Sequence, residues 1–345
     1  MPNFTEERLG TPVLGDIFIS LCIPTYRRAP KVARLMRQLT RVIAASSYRT
    51  KIEVVISNNA SPDATADAIR AESAGLATHC RVRVYTQHEN IGGEANFRFL
   101  YEHAEGRYVW IFPDDDILYE DQFDRLIADL ERVAPEICLS SFCQPPWDGD
   151  RRMFDCGGAE TALVEDLRQA IPHLVRFPKL TAYVYRRRVL APREQASSIQ
   201  AAETTSFWFV TLCLLLLNNH ENRLLLRSPN VAHADEDFLD LNFSPRVYLT
   251  MAEAVRLGLT GHEAPEPLIA EVTILDIPMA VVGLVFRHTV GLSTLAASVA
   301  ESDYRYIREN LRAMVTHGWR NALKVPVILV LYPLVGRARG RPTGP

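Results

Sequence analysis

Several features that mark particular protein classes are missing or scarce in this chain. Its six cysteines, Cys22, Cys80, Cys138, Cys143, Cys156 and Cys213, form no CxxC pair, which excludes the common zinc and dithiol spacings. They fall mostly inside apolar runs, where a thiol behaves as a small hydrophobe, so buried reduced cysteines are expected. The longest apolar run near the C-terminus, residues 325–335, is short for a membrane span and contains Pro326 and Pro333. Glu6 and Glu7 stand where a signal peptide would carry a basic segment and then an apolar one. A cytoplasmic protein is therefore expected. Charge of one sign is also scarce: the formal net charge of -3 gives no electrostatic case for nucleic acid. Internal repeats and low-complexity tracts are absent.

What the chain does have is length and apolar content. Its 345 residues exceed one average domain, and 48% apolar residues can bury a real core. The most informative stretch is RYVWIFPDDDILYED, from Arg107 to Asp121. Residues 108–112 have the aromatic and β-branched content of a buried strand, and Pro113 stops it. Asp114, Asp115 and Asp116 follow at once, at a strand's carboxyl end, where open α/β sheets bind ligands. Three adjacent carboxylates are costly unless a cation or proton neutralises them. If the chain stays extended, Asp114 and Asp116 share one side and Asp115 takes the other. Hard oxygen ligands suit magnesium or manganese, with diphosphate oxygens completing the shell. An acidic turn capping the helix that begins near Glu120 is the structural alternative.

The pattern around this stretch is strand, loop, helix, repeated. Residues 16–23 read as a strand after a loose lead-in over 1–15, and IPTYRRAP reads as a loop before a helix over 31–45. A strand over 52–57 leads through NNASPDAT to a helix over 65–73. A strand over 81–86 leads through ENIGGEAN to a helix over 96–104. This alternation predicts a doubly wound parallel sheet whose crossover loops meet at one edge.

IPTYRR, EVVISNNASPDAT, NIGGEANF and GRYVWIFPDDD, in that order, resemble the signatures of the family 2 glycosyltransferases, and the double glycine and acid of NIGGEANF resemble the abequosyltransferase-like subgroup. The resemblance covers residues 17–135 and implies a GT-A fold: a Rossmann-like, mostly parallel sheet flanked by helices. It implies a nucleotide-sugar-binding half over 16–135, an acceptor-side half over 136–245 and a helical C-terminal region over 246–345. Pro24 and Tyr26 would line a nucleobase pocket, with the tyrosine stacking on the base. Asn59 stands where the family has an aspartate that accepts a hydrogen bond from the base; its amide oxygen can still accept. Asn90 and Asn96 would border the nucleotide. Gly92 and Gly93 permit close backbone approach beside a helix N-terminus. Asp114 would lie near the ribose and Asp115 at the metal, whereas the same-side argument pairs Asp114 with Asp116. The metal set is taken as Asp115 and Asp116. Arg27 and Arg28 are left out, because exposure to solvent is the commoner fate of an arginine. Asp63 fits a turn or the pocket equally well, and in a pure turn Ser61 or Asp63 would cap the next helix.

An inverting family member needs a carboxylate to take the acceptor's proton. Residues 180–189 resemble the strand that precedes this region. Glu203, ahead of an apolar helix over 207–217, is the first candidate and Asp235 the second, with helix capping as the structural alternative for Glu203. Trp319, Arg320 and Lys324 before residues 325–335, and Arg337, Arg339 and Arg341 after them, suit a segment in the membrane interface. A polyprenyl-linked acceptor would require such access. The expectation is a magnesium- or manganese-dependent transferase that moves a sugar from a nucleotide-diphosphate donor to a saccharide hydroxyl in bacterial surface polysaccharide. The alternatives are a sugar nucleotidyltransferase, disfavoured because IPTYRRAP has no glycine, and a catalytically silent glycan- or partner-binding relative.

Overall fold

The computed structural model describes residues 3–10, 15–143, 158–176, 179–234 and 245–263, with a few isolated positions between and after them. Asp235 and the C-terminal segment proposed for the membrane interface lie outside the described residues. No helix among the described residues is long and apolar enough to cross a membrane.

Strand, loop and helix alternate as the sequence predicts: β1 (Phe4–Leu9), β2 (Ile19–Thr25), α1 (Ala29–Ala45), β3 (Ile52–Asn58), α2 (Thr65–Leu76), β4 (Arg81–Gln87), α3 (Gly93–His103) and β5 (Tyr108–Ile111). The second half holds β6 (Asp116–Leu118), α4 (Phe123–Val133), β7 (Ile137–Cys143), β8 (Thr161–Val164), α5 (Leu167–Arg176), β9 (Tyr183–Arg186), α6 (Pro192–Thr204), α7 (Trp208–Asn219), β10 (Leu224–Ala234) and α8 (Pro245–Gly258). One sheet runs through both halves in the order β1-β4-β3-β2-β5-β9-β7-β10-β6. Its nucleus, β4-β3-β2-β5, is parallel. The central strands β2, β3 and β5 are buried on both faces, which explains why they read as largely apolar runs, whereas β4 alternates apolar residues with Arg81, Arg83 and Gln87.

Chain order reverses between β2 and β5. The chain steps from β2 to β3 to β4 in one direction, and α3 then carries it back to β5 on the other side of β2. Right-handed crossovers therefore put α1 and α2, which pack on each other, on one face, and α3, which packs against α6 and α7, on the other. Gly106 lets β5 begin tight against β2: a Cβ there would lie 2.7 Å from the Ser20 nitrogen, and the Gly106 N–H donates to Ser20 Oγ at 2.8 Å. The carboxyl ends of β2 and β5 thus open side by side, at the point where such sheets bind ligands.

Two local expectations need correction. The loose lead-in contains β1, which pairs antiparallel with β4. Its charged sequence hides the strand, because Glu6 is there to meet Arg83 (2.9 Å) and Tyr85 (3.1 Å) on β4. Pro24 does not end β2 but sits inside it, opposite Ser57 of β3. The cysteines are free thiols, and all but Cys156 are buried.

Candidate active site

The three aspartates do not lie on extended chain. Asp114 and Asp115 form a turn closed by the Asp116 N–H donating to the Pro113 carbonyl (3.3 Å), and β6 starts at Asp116. The same-side pairing of Asp114 with Asp116 is therefore overturned: the turn sends each carboxylate to a different partner. Asp114, 2% exposed, accepts from Thr25 Oγ1 at the end of β2 (2.5 Å) and from Arg28 Nη1 (3.1 Å). Burial pushes its carboxyl up to about 6 against the pull of Thr25 and Arg28. Asp116 is 0% exposed and ion-paired with Lys179 at 2.9 Å, and it also accepts from Thr181 Oγ1. Asp115, at 18%, keeps the most exposure of the three and meets Arg28 Nη1 at 2.5 Å. Burial raises its carboxyl, but Arg28 and Lys179 outweigh burial and hold it below the ordinary carboxylate value.

Hydrogen bonds tie the four rim loops together. Asn59 N–H donates to the Thr25 carbonyl (3.0 Å). The Asn59 side chain donates to Asn90 Oδ1 (2.9 Å) and the Gly92 carbonyl (3.2 Å), and accepts from the Ile91 N–H (2.9 Å). Its amide braces the loop after β4. Asn90 Oδ1 also accepts from the Gly92 N–H (2.9 Å), and Gly92 takes a positive φ of 86°, which a glycine allows at no steric cost. Gly92 and Gly93 are exposed at the rim. Asn96 is buried and bonded to Ser57, with Ser57 Oγ donating to its Oδ1 (2.6 Å); it supports the loop from below. Pro24 is buried in β2, whereas Tyr26 reaches the surface. Asp63 takes the capping role: Thr65 N–H and Oγ1 both donate to its Oδ1 at 3.2 and 2.6 Å.

Glu94, in the first turn of α3, accepts from the Trp208 N–H that opens α7 (2.9 Å). This bond stitches the first turn of α3 to the start of α7, and Glu203 lies exposed near the end of α6, just ahead of α7 in the chain. Burial pushes the Glu94 carboxyl up to about 7, against the Trp208 N–H. Because the folded protein holds that proton more tightly than the unfolded chain, stability falls as pH rises from about 4.5 to about 7 and is level above. Glu94→Gln keeps the acceptor and loses the charge, so it is expected to gain about 3 kcal/mol over the wild type at pH 8. Below pH 4.5 the difference should vanish, as denaturant midpoints at the two pH values would show.

Sequence reasoning missed Thr25, Arg28, Lys179, Thr181 and Glu94. IPTYRR contains the first two, but nothing local shows an arginine reaching the turn after β5. Lys179 and Thr181 carry no motif.

Among the described residues no group of three or more histidine, cysteine or acidic side chains is arranged to hold a metal. A magnesium or manganese ion commonly takes only one or two carboxylates and completes its shell with phosphate oxygens and water. The partly exposed Asp115 carboxylate fits that mode once Arg28 moves aside. Asp116, closed in by Lys179 and Thr181, does not fit without breaking a buried ion pair.

Comparison with known proteins agrees with this geometry. The sequence model for "Glycosyl transferase family 2" matches residues 20–169. Abequosyltransferase RfbV of Salmonella typhimurium is 32% identical over 119 residues, a match that spans 34% of this chain and only 34% of that relative. Among solved structures, S. aureus TarS 1-349 superposes with a TM-score of 0.60 at 16% identity, covering 93% of this chain and 87% of that one. A mannosyltransferase from Pyrobaculum calidifontis, PcManGT, gives a TM-score of 0.50 at 13% identity over 94% and 88% of the two chains. The fold is that of the GT-A glycosyltransferases, and residues 20–169 are similar to the family 2 glycosyltransferases.

Proposed function

We propose that this chain is a metal-dependent, inverting glycosyltransferase that moves a sugar from a nucleotide-diphosphate donor to a saccharide hydroxyl during bacterial surface polysaccharide assembly. The observation that carries the proposal is the acid turn at the chain reversal between β2 and β5, where Asp115 faces the rim beside loops bound to one another. Solved relatives of the same fold support it: TarS has been crystallised with UDP-GlcNAc and PcManGT with GDP-Man and Mn2+.

In this reading the exposed Tyr26 ring stacks on the nucleobase. The backbone of Gly92 and Gly93 admits the donor close to the start of α3, where the helix dipole favours an anion. Asp115 is the protein's ligand toward magnesium or manganese, an ion that would neutralise charge developing on the leaving diphosphate. Asp114 and Thr25 brace the turn from within. Glu203, or Asp235 if the acceptor lies on that side, takes the proton from the acceptor hydroxyl as its oxygen attacks the anomeric carbon and the bond to diphosphate breaks on the opposite face. A lipid-linked acceptor would bring the protein to the membrane surface, where the basic C-terminal flanks would favour anionic headgroups.

The test is a melting series with UDP- and GDP-sugars and either metal, followed by an assay for released nucleoside diphosphate. A donor about 100-fold above its Kd adds about 2.7 kcal/mol to the folded state, which in a chain of this size raises Tm by roughly 4 °C. A nucleoside diphosphate should then appear slowly from donor hydrolysis. Binding without release would indicate a silent relative, and release of pyrophosphate from a nucleoside triphosphate and a sugar phosphate would indicate a nucleotidyltransferase.

A further inference from the structure

The proposed function leaves unexplained why an arginine closes the acid turn. Arg28 is anchored at its backbone, where its N–H donates to Thr65 Oγ1 (3.0 Å) and its carbonyl accepts from Val32 N–H in the first turn of α1 (3.0 Å). Its side chain is 43% exposed and reaches back over the turn. One nitrogen, Nη1, stands between Asp114 Oδ1 (3.1 Å) and Asp115 Oδ2 (2.5 Å). A single positive group thus bridges the two carboxylates nearest the chain reversal. Lys179 pairs with the third, so two cations already offset two of the three charges without any ion.

A cation bound to Asp115 Oδ2 and the Arg28 guanidinium compete for the same oxygen and repel each other across it. The backbone anchor fixes where Arg28 starts, while its long, half-exposed arm can turn toward the open rim. A guanidinium is also a good planar donor to diphosphate oxygens.

Resting on the reading of Asp115 as the metal ligand, we propose that Arg28 is an internal competitor for the divalent cation, closing the acid turn in the donor-free protein and passing to the donor's diphosphate when metal and nucleotide enter together. The arrangement makes metal binding weak without nucleotide and strong with it. It is a positioning device and takes no part in bond making.

This predicts opposite signs for one substitution. In Arg28→Gln, titration with Mn2+ alone, followed by the electron paramagnetic resonance of the free ion, should show binding about tenfold tighter than in the wild type, within the range usual for coupled sites. With Mn2+ saturating, the same variant should bind UDP or GDP more weakly than the wild type. An arginine that merely props the turn would weaken both. Asp115→Asn serves as the control and should lose Mn2+ binding. If Arg28→Gln binds Mn2+ no tighter than the wild type while Asp115→Asn still loses it, the competitor role is overturned and the metal site stands. If Asp115→Asn keeps its Mn2+ affinity, the metal reading fails and takes this inference with it. Should Arg28→Gln not fold, judged by its melting curve, Arg28→Lys replaces it: a point charge too short to span both carboxylates should give the same signs at smaller size.

Discussion

Replacing Asp115 with asparagine is expected to abolish metal-dependent donor binding in calorimetry and to lower transfer by about 10²–10³-fold, the usual loss when one preorganised group facing developing charge is removed. The side chain stays the same size and can still accept from Arg28, so the turn should survive and the melting temperature should move little. The size of the effect follows from how few ligands the protein offers. Asp114 is sealed behind Thr25 and Asp116 is closed in by Lys179, so no neighbouring carboxylate can take over without rebuilding the turn. Unchanged donor binding in this variant would remove the basis of the metal-dependent reading.

Asp116→Ala is expected to behave in the opposite way, as a stability variant first. Lys179 keeps only 16% of its side chain exposed and lies over the Phe142 ring at 4.9 Å. Removing its carboxylate leaves a mostly buried ammonium without its partner and takes the acceptor from Thr181. Breaking a buried pair on one side costs about 3–5 kcal/mol, which corresponds to a fall in Tm of roughly 4–7 °C for a chain of this size. The measurement is a melt in the presence of a chelator. If Asp116 were chiefly a metal ligand, removing a carboxylate from a crowded acid turn would leave the metal-free protein as stable as before or more so. The ion pair makes Asp116 a rivet between the turn after β5 and the segment leading into β9, so loss of activity in this variant would follow from loss of the turn.

The two variants also show where sequence reasoning could reach. The parallel nucleus was legible because its central strands are buried on both faces and carry short apolar runs, such as Val54, Val55 and Ile56, and because β4 shows the alternation of a strand. The convergence of the loops was legible from the crossover rule alone. What could not be read was anything that depends on partners far apart in the chain. β1 carries three charged residues and becomes a strand only because β4 offers Arg83 and Tyr85 to Glu6. β9 enters the sheet antiparallel between β5 and β7, and no local pattern announces an insertion of that kind. Arg28 was set aside as an ordinary surface arginine, and Lys179 had no motif around it. Their importance lies in the carboxylates they reach, which the fold alone brings near. The reading of the trio failed at the backbone: it assumed extended chain past Pro113, whereas the turn closes at once. Asn59 and Asn96 illustrate a milder case. Asn59 lies in the loop after β3 and Asn96 is buried on α3, and their amides hold the rim loops in place through Asn90, Gly92 and Ser57.

In the proposed function, Asp115 presents a divalent ion to a donor's diphosphate at the reversal between β2 and β5. A crystal structure with Mn2+ and UDP or GDP, with the metal located by its anomalous scattering, tests this directly. A peak is expected in direct contact with the Asp115 carboxylate and with diphosphate oxygens, and an Arg28 side chain moved off the turn. A nucleotide bound elsewhere, or bound here while Asp115 remains paired with Arg28 and no metal lies between them, would contradict it.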